Sequence, residues 1–314
     1  PVWPPRCFPI TLVLRMGEHS TKGSFGLGTL MRLLRVQQWV KNGFVFFPAF
    51  FAAVILREDV VQRTLIGFFC FSLAASAVYL LNDLRDVGQD RLHPEKRRRP
   101  IAAGEVSTAV VPWISGLLAV AALAGAWCTE PRFGWVVAVY MGMNFLYSMG
   151  LKHVPILDVS IIAAGFLLRI HAGGILARVP VSQWIELITF LLALFLALAK
   201  RRDDLVLTLG PGEVRASLRG YNLPFVDAGM ITLAAVVVQS YIMYTVSSEV
   251  TGRLGSEKVY ITSVFVVLGI LRYFQLTLVE MRTGDPSRLV FQDRPIRLII
   301  LGWLLSFAII LYAL

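Results

Sequence analysis

Residues 64–90 read TLIGFFCFSLAASAVYLLNDLRDVGQD. From Thr64 to Leu81 the stretch carries no charge. A bilayer-crossing helix needs roughly 20 such apolar residues. The run then stops on Asn82 and three carboxylates, Asp83, Asp86 and Asp90. An apolar span ending on acids points to an all-α, membrane-embedded chain, and it marks where chemistry is to be sought. Spacings of three and four residues put the acids on one face if the helix continues through them. Three like charges on one face repel unless a counter-charge joins them. Hard oxygen ligands in this pattern suit Mg2+, which takes carboxylates, waters and substrate phosphates. The plainer alternative is a solvated helix end with incidental acids.

The pattern repeats outward from this segment. The 314 residues are 56% hydrophobic and their mean hydropathy is +0.68, above the 45–50% apolar content of an average soluble domain. Nine apolar runs emerge, at 41–56, 64–82, 109–127, 133–150, 155–176, 184–200, 226–247, 258–279 and 296–313. The backbone of each must satisfy itself in hydrocarbon, which predicts helices throughout. No soluble domain fits between them. Residues 1–28 read as a loose tail and 29–314 as one transmembrane domain.

The net charge of +10 does not point to nucleic acid, because the basic residues sit between apolar runs. With nine spans, 22 of the 30 Lys and Arg fall on one side and six on the other. That asymmetry predicts a multi-pass plasma-membrane protein with its N-terminus and acid cluster at the cytoplasmic face and its C-terminus outside. Cys7, Cys70 and Cys128 are isolated, and the four histidines have no paired spacing. Neither a disulfide framework nor a zinc centre is expected.

Length, charge and acids concentrate in two cytoplasmic loops, after the second and sixth spans. The first continues as Arg91-Leu92-His93-Pro94-Glu95-Lys96-Arg97-Arg98-Arg99-Pro100-Ile101, and the second contains Lys200-Arg201-Arg202-Asp203-Asp204-Leu205. The run Lys96–Arg99 is a topology signal by default, and its cations are also suited to a phosphate or an anionic leaflet.

Asn82-Asp83-x-x-Asp86-x-x-x-Asp90 followed by Arg99-Pro100-Ile101-Ala102-Ala103-Gly104 resembles the first signature of the UbiA superfamily of intramembrane prenyltransferases, from about Leu33 to Leu314. The resemblance implies nine helices around a central cavity, with Asn82, Asp83, Asp86 and Asp90 holding Mg2+ and a donor diphosphate. In the second loop Asp203 and Asp204 match acids of the family's second motif. Lys200 and Leu207 stand where further acids are expected. A site so altered favours an additional substrate phosphate over a second metal.

That change resembles the decaprenyl-phosphate phosphoribosyltransferase branch. So do Gln38-Trp39-Val40-Lys41-Asn42 with Phe46-Phe47-Pro48, and Tyr147-Ser148 with Lys152 and Pro155-Ile156-Leu157-Asp158. Tyr221 with Phe225 and Asp227, and Asp285-Pro286 with Asp293-Arg294-Pro295, extend the likeness. It implies transfer of phosphoribose from phosphoribosyl pyrophosphate to a polyprenyl phosphate, in membrane lipid and without nucleic acid. Asp83, Asp86 and Lys200 would be catalytic. Arg201 or Arg202 would clamp a phosphate beside Asp203 and Asp204, and Arg99 is a further phosphate-contact candidate.

Lys41, Asn42 and Lys152 each have two readings, interfacial anchor or phosphate contact. Tyr147 reads as cavity-facing or as helix packing, and Asp158 as a cap or local pair. Arg169 lies deep in a span, where a lone guanidinium is costly. Glu186 and Glu249 are its candidate partners by depth, Arg272 is expected to snorkel, and His171 to be structural. Two other readings remain, a UbiA-type prenyltransferase with an aromatic acceptor and a membrane transporter. Oligomeric state is left open.

Overall fold

The computed structural model describes residues 26–92, 95–207, 218, 220–281 and 292–312. Residues 1–25 of the expected tail at 1–28 and the Asp285-Pro286 segment lie outside the described residues, and a helix already begins at Leu27. Every regular element among the described residues is helical.

Seven helical stretches among the described residues are long and apolar enough to cross a membrane. They are α3 (Glu58–Arg85), α5 (Val111–Thr129), α7 (Leu157–Ala177), α8 (Gln183–Leu207), α9 (Leu223–Val246), the composite Glu257–Val279 that contains α11 (Ser263–Phe274), and α12 (Arg294–Tyr312). Helix α6 (Pro131–Met149) also has 19 residues, but Gly134, Tyr140, Gly142, Asn144, Tyr147 and Ser148 make it more polar. Short helices α1 (Leu27–Leu33), α2 (Phe47–Phe51), α4 (Val87–Leu92) and α10 (Ser248–Leu254) complete the set.

The expected helix at 41–56 is not one continuous α-helix. It divides into a 3-10 helix over Val36–Phe46 and the five-residue α2. Pro48 at the start of α2 cannot supply a backbone N–H to the preceding turn. Eleven residues is long for a 3-10 helix, in which runs beyond 3–4 are uncommon. Tertiary contacts hold this one. It lies along α3 as a ladder, with Arg35 at Asp83, Trp39 Nε1 3.1 Å from Ser76 Oγ, and Asn42 Nδ2 3.0 Å from Ser72 Oγ. Near its other end it meets α7 at Gly173, where a Cβ would fall 2.2 Å from the Val45 carbonyl oxygen.

Small residues let the spans approach, as lipid-embedded helices require. Ala74 and Ala75 of α3 and Ala122 and Ala126 of α5 share a core with Phe71, Phe133 and Tyr140. A second core joins α7, α8 and α9 through Val159, Phe195, Ala199, Val226 and Met230. Trp113 and Leu117 of α5 are largely exposed, as expected of a lipid-facing stripe. The ends of α3, α6 and α8 and the start of α7 gather the charged residues discussed next.

Candidate functional site

Helix α3 ends at Arg85, and Asp86 follows with φ −90° and ψ 5° before α4 begins at Val87. The expected continuous face of three acids is therefore interrupted at its middle member. Asp83 and Asp90 are buried and share one guanidinium, while Asp86 has separate partners. The Arg99 guanidinium donates from Nη1 to Asp83 Oδ1 at 2.8 Å and to Asp90 Oδ2 at 2.6 Å. Arg35 forks onto the other side of Asp83, with Nε 3.1 Å from Oδ2 and Nη2 on Oδ1, and lies 4.8 Å from the centre of the Tyr79 ring. Lys152 donates to both oxygens of Asp86, at 2.7 and 2.9 Å. Three carboxylates thus meet three cations, which removes the repulsion inherent in the sequence.

The loop carrying Arg99 is held from below. Ile101 and Val106 pack with Leu33, Leu80 and Val111, and Arg91 donates to the Ala102 carbonyl at 3.3 Å. Arg35 reaches the site because it adopts a left-handed conformation, φ 51°, between α1 and the 3-10 helix. Nothing in the local sequence signals this, since Arg35 and Asp83 are 48 residues apart.

Among the described residues no three metal-ligating side chains come together, so the acid trio is divided rather than converged. The donor chemistry still fits Mg2+. Asn82 gives its amide N–H to Asp86 Oδ2 at 3.2 Å, and its Oδ1 is buried without a hydrogen-bond partner. A hard amide oxygen left unsatisfied beside carboxylates is a costly arrangement in a protein and a suitable one for a hard cation.

The second acid region is helical, because α8 runs on through Leu207. Lys200 is exposed, while Arg201 and Arg202 are buried and face protein acids. Arg201 pairs with Asp158 at 2.7 Å and Asp204 at 3.3 Å, and donates to Tyr147 Oη at 3.4 Å. Arg202 pairs with Asp227 at 2.6 Å and donates to the Thr277 carbonyl at 2.9 Å. The expected phosphate clamp by these two arginines is thus replaced by internal pairing. Buried guanidinium groups need such partners, and α8 continuing as a helix points both inward. Asp203 is half-buried on the same last turns.

Asp158 is a hub rather than a local cap. It accepts from Arg201 and from the Tyr221 hydroxyl, whose oxygen is 2.5 Å from Oδ1. Burial and the Asp158 carboxylate push the Tyr221 phenol up to about 12, so it stays a donor. Tyr221 also accepts from the Ile156 backbone N–H at 2.6 Å.

Other expectations resolve differently. Asn42 is fully buried and is bound to Ser72 and Arg169, far down α3 from the aspartates, so the phosphate-contact reading does not fit it. Lys41 is half-buried on the same 3-10 helix. Among the described residues Arg169 does not pair with Glu186. It donates to Asn42 Oδ1 at 2.8 Å, the Gly165 carbonyl at 2.7 Å and Tyr140 Oη at 3.1 Å, and stacks near the rings of Tyr140, Phe71 and Phe166. Glu186 instead lies 3.5 Å from His171, and the side chain of Glu249 is outside the described residues. Arg272 pairs with Asp293 at 2.6 Å and Glu280 at 2.7 Å, and Asp293 caps α12 through the Ile296 N–H at 2.9 Å.

Comparison with known proteins agrees with this architecture. Residues 44–207 match the UbiA prenyltransferase family. A decaprenyl-phosphate phosphoribosyltransferase of Mycolicibacterium smegmatis is 34% identical over 286 residues, covering 88% of this chain and 90% of the relative. One of Corynebacterium glutamicum is 31% identical over 291 residues, covering 90% and 86%. Among solved structures, a UbiA homologue from Archaeoglobus fulgidus bound to DMAPP and Mg2+ superposes with a TM-score of 0.69 at 18% identity, covering 91% of this chain and all of that one. A chain of apolar, membrane-length helices, with Asp83, Asp86, Asp90, Asp158, Asp203 and Asp204 at one end of the bundle and matched along most of its length to these proteins, belongs to the UbiA prenyltransferase family.

Proposed function

We propose that this protein transfers 5-phosphoribose from phosphoribosyl pyrophosphate to a polyprenyl phosphate, releasing pyrophosphate, as a step in making cell-envelope polysaccharide precursors. The observation that carries the reading is the 34% identity, over nearly the whole of both chains, to a decaprenyl-phosphate phosphoribosyltransferase.

The residues support a division of labour. Asn82 Oδ1 and the carboxylates of Asp83, Asp86 and Asp90 would hold Mg2+. When bound, the ion neutralises charge developing on the departing pyrophosphate. Lys152, held by Asp86, would also offer its ammonium group to a diphosphate oxygen of the donor. Arg35 and Arg99 orient Asp83, and Arg99 also orients Asp90. Lys200 contacts the donor's 5-phosphate from the exposed face of α8, next to Arg201, whose bond to Tyr147 fixes that helix end beside α6 and α7. Asp203 and Asp204 frame it, with Asp204 holding Arg201. An oxygen of the acceptor phosphate attacks C1 as the C1–O bond to pyrophosphate breaks, and the bonding pair leaves with pyrophosphate. The acceptor is already anionic, so no strong base is required. The protein contributes position and charge neutralisation. The cytoplasmic face is the side on which this site sits, consistent with its excess of Lys and Arg.

The test is a membrane assay with ribose-labelled phosphoribosyl pyrophosphate and polyprenyl phosphate, with and without Mg2+. The reading expects Mg2+-dependent labelled lipid. No labelled lipid, together with prenylation of an aromatic acid from a prenyl diphosphate, would replace it with the prenyltransferase reading.

A further inference from the structure

Between α6 and α7 the chain turns through Lys152, Pro155, Ile156 and Asp158. Ile156 has φ 70° and ψ −45°, close to the rare γ-turn conformation. A β-branched residue at positive φ is a genuine outlier and persists only where its surroundings over-determine it. The surroundings here are specific. The Ile156 N–H donates to Tyr221 Oη at 2.6 Å, and Tyr221 donates to Asp158 at 2.5 Å. Gly220 docks on Pro155 so closely that a Cβ would meet its Cγ at 2.5 Å, and Gly220 itself has φ 97°. Asp158 is anchored in turn by Arg201. Ile156 is 59% exposed, so its packing does not explain the conformation. The 3-10 turn Leu151–His153, which carries Lys152, directly precedes this corner.

We propose that Tyr221 is a positioning residue for Lys152: its hydroxyl holds the strained turn at Ile156, and the turn sets Lys152 across Asp86. The inference assigns work to the Tyr221 segment, 65 residues from Ile156 in sequence. For catalysis it rests on the proposed role of Lys152 at the diphosphate. Its structural content can be decided without substrate.

The experiment labels lysine amines in membranes with an acylating reagent and quantifies each site by peptide mass spectrometry, using exposed Lys258 as reference and Lys41 as a monitor of general loosening. In the wild-type chain Lys152 is protected by its pair with Asp86. Tyr221→Phe removes the hydroxyl and should raise Lys152 labelling about tenfold, the factor matching release of a strained residue, with Lys41 unchanged. Glycine adopts positive φ freely, so adding Ile156→Gly to Tyr221→Phe should return Lys152 labelling to within about twofold of wild type, because the turn no longer needs the hydroxyl. Unchanged Lys152 labelling in Tyr221→Phe overturns the proposal. So does a rise the second substitution fails to reverse, or a parallel rise at Lys41. The labelling needs no donor, so failure of the phosphoribosyl reading leaves this result interpretable.

Discussion

At the scale of single residues, the aspartates are opposed by cations that the sequence did not place. Asp83, Asp86 and Asp90 were legible because they sit in one short motif at the end of an apolar run. Arg35 was not, because its approach depends on a left-handed backbone and a fold-level contact. Arg201 and Arg202 misled for the same reason, since sequence cannot say whether a cation beside acids faces solvent or a buried Asp158 or Asp227. Lys152 and Mg2+ would share Asp86, and this gives opposite signs for two substitutions. Asp86→Ala removes two donor oxygens and should raise the Mg2+ concentration for half-maximal activity about tenfold or more. Lys152→Gln removes a competing cation and should lower that concentration, while raising the KM for the donor. Mg2+ titrations at fixed donor and donor titrations at saturating Mg2+ separate the two, and shifts in the same direction would count against the shared carboxylate. Tyr221 adds a pH dependence. Its native pKa of about 12 lies above the unfolded value of about 10. Its stabilising contribution is therefore complete below pH 10 and lost as pH rises toward 12. Alkaline unfolding of Tyr221→Phe should lack that phase.

At the scale of elements, the 3-10 helix is the feature that hydropathy read least well. The run 41–56 reads as one apolar helix, but Pro48 and the side-chain ladder to α3 divide it into a tight 3-10 segment and a short helix. Arg169 is its principal anchor, joining the 3-10 helix, α6 and α7 through Asn42, Tyr140 and Gly165. Depth alone pointed to a glutamate. The observed solution uses neutral acceptors and three aromatic rings, which sequence spacing does not reveal. Arg169→Lys keeps the charge but cannot reproduce three directed hydrogen bonds, and should lower stability by about 1–3 kcal/mol, read as a reduced midpoint in detergent unfolding. Asn42→Ala should destabilise by a similar amount, and the double variant should lose less than the sum, because the two residues share one contact. Full additivity would show that Arg169 does not act through Asn42.

At the scale of the whole molecule, the membrane-embedded helical fold was legible from hydropathy and helix-length runs, and charge asymmetry supplied an orientation. The proposed orientation puts the α5–α6 connection outside. Cys128 near that connection is exposed and Cys70 is buried, so a membrane-impermeant thiol reagent should label Cys128 from the outer side of intact cells and leave Cys70 unmodified until denaturation. Labelling of Cys128 only from the inner side would invert the topology. What the fold alone leaves open is the group attached to the diphosphate, because the same architecture is shared with UbiA homologues only 18% identical. The most direct measurement uses phosphoribosyl pyrophosphate labelled at one of two phosphorus atoms, the 5-phosphate or the terminal phosphorus of the diphosphate, with polyprenyl phosphate and Mg2+. The account predicts that the 5-phosphate label passes into the lipid while the diphosphate label is recovered as pyrophosphate. Diphosphate label in the lipid, or no transfer of either label, would contradict it.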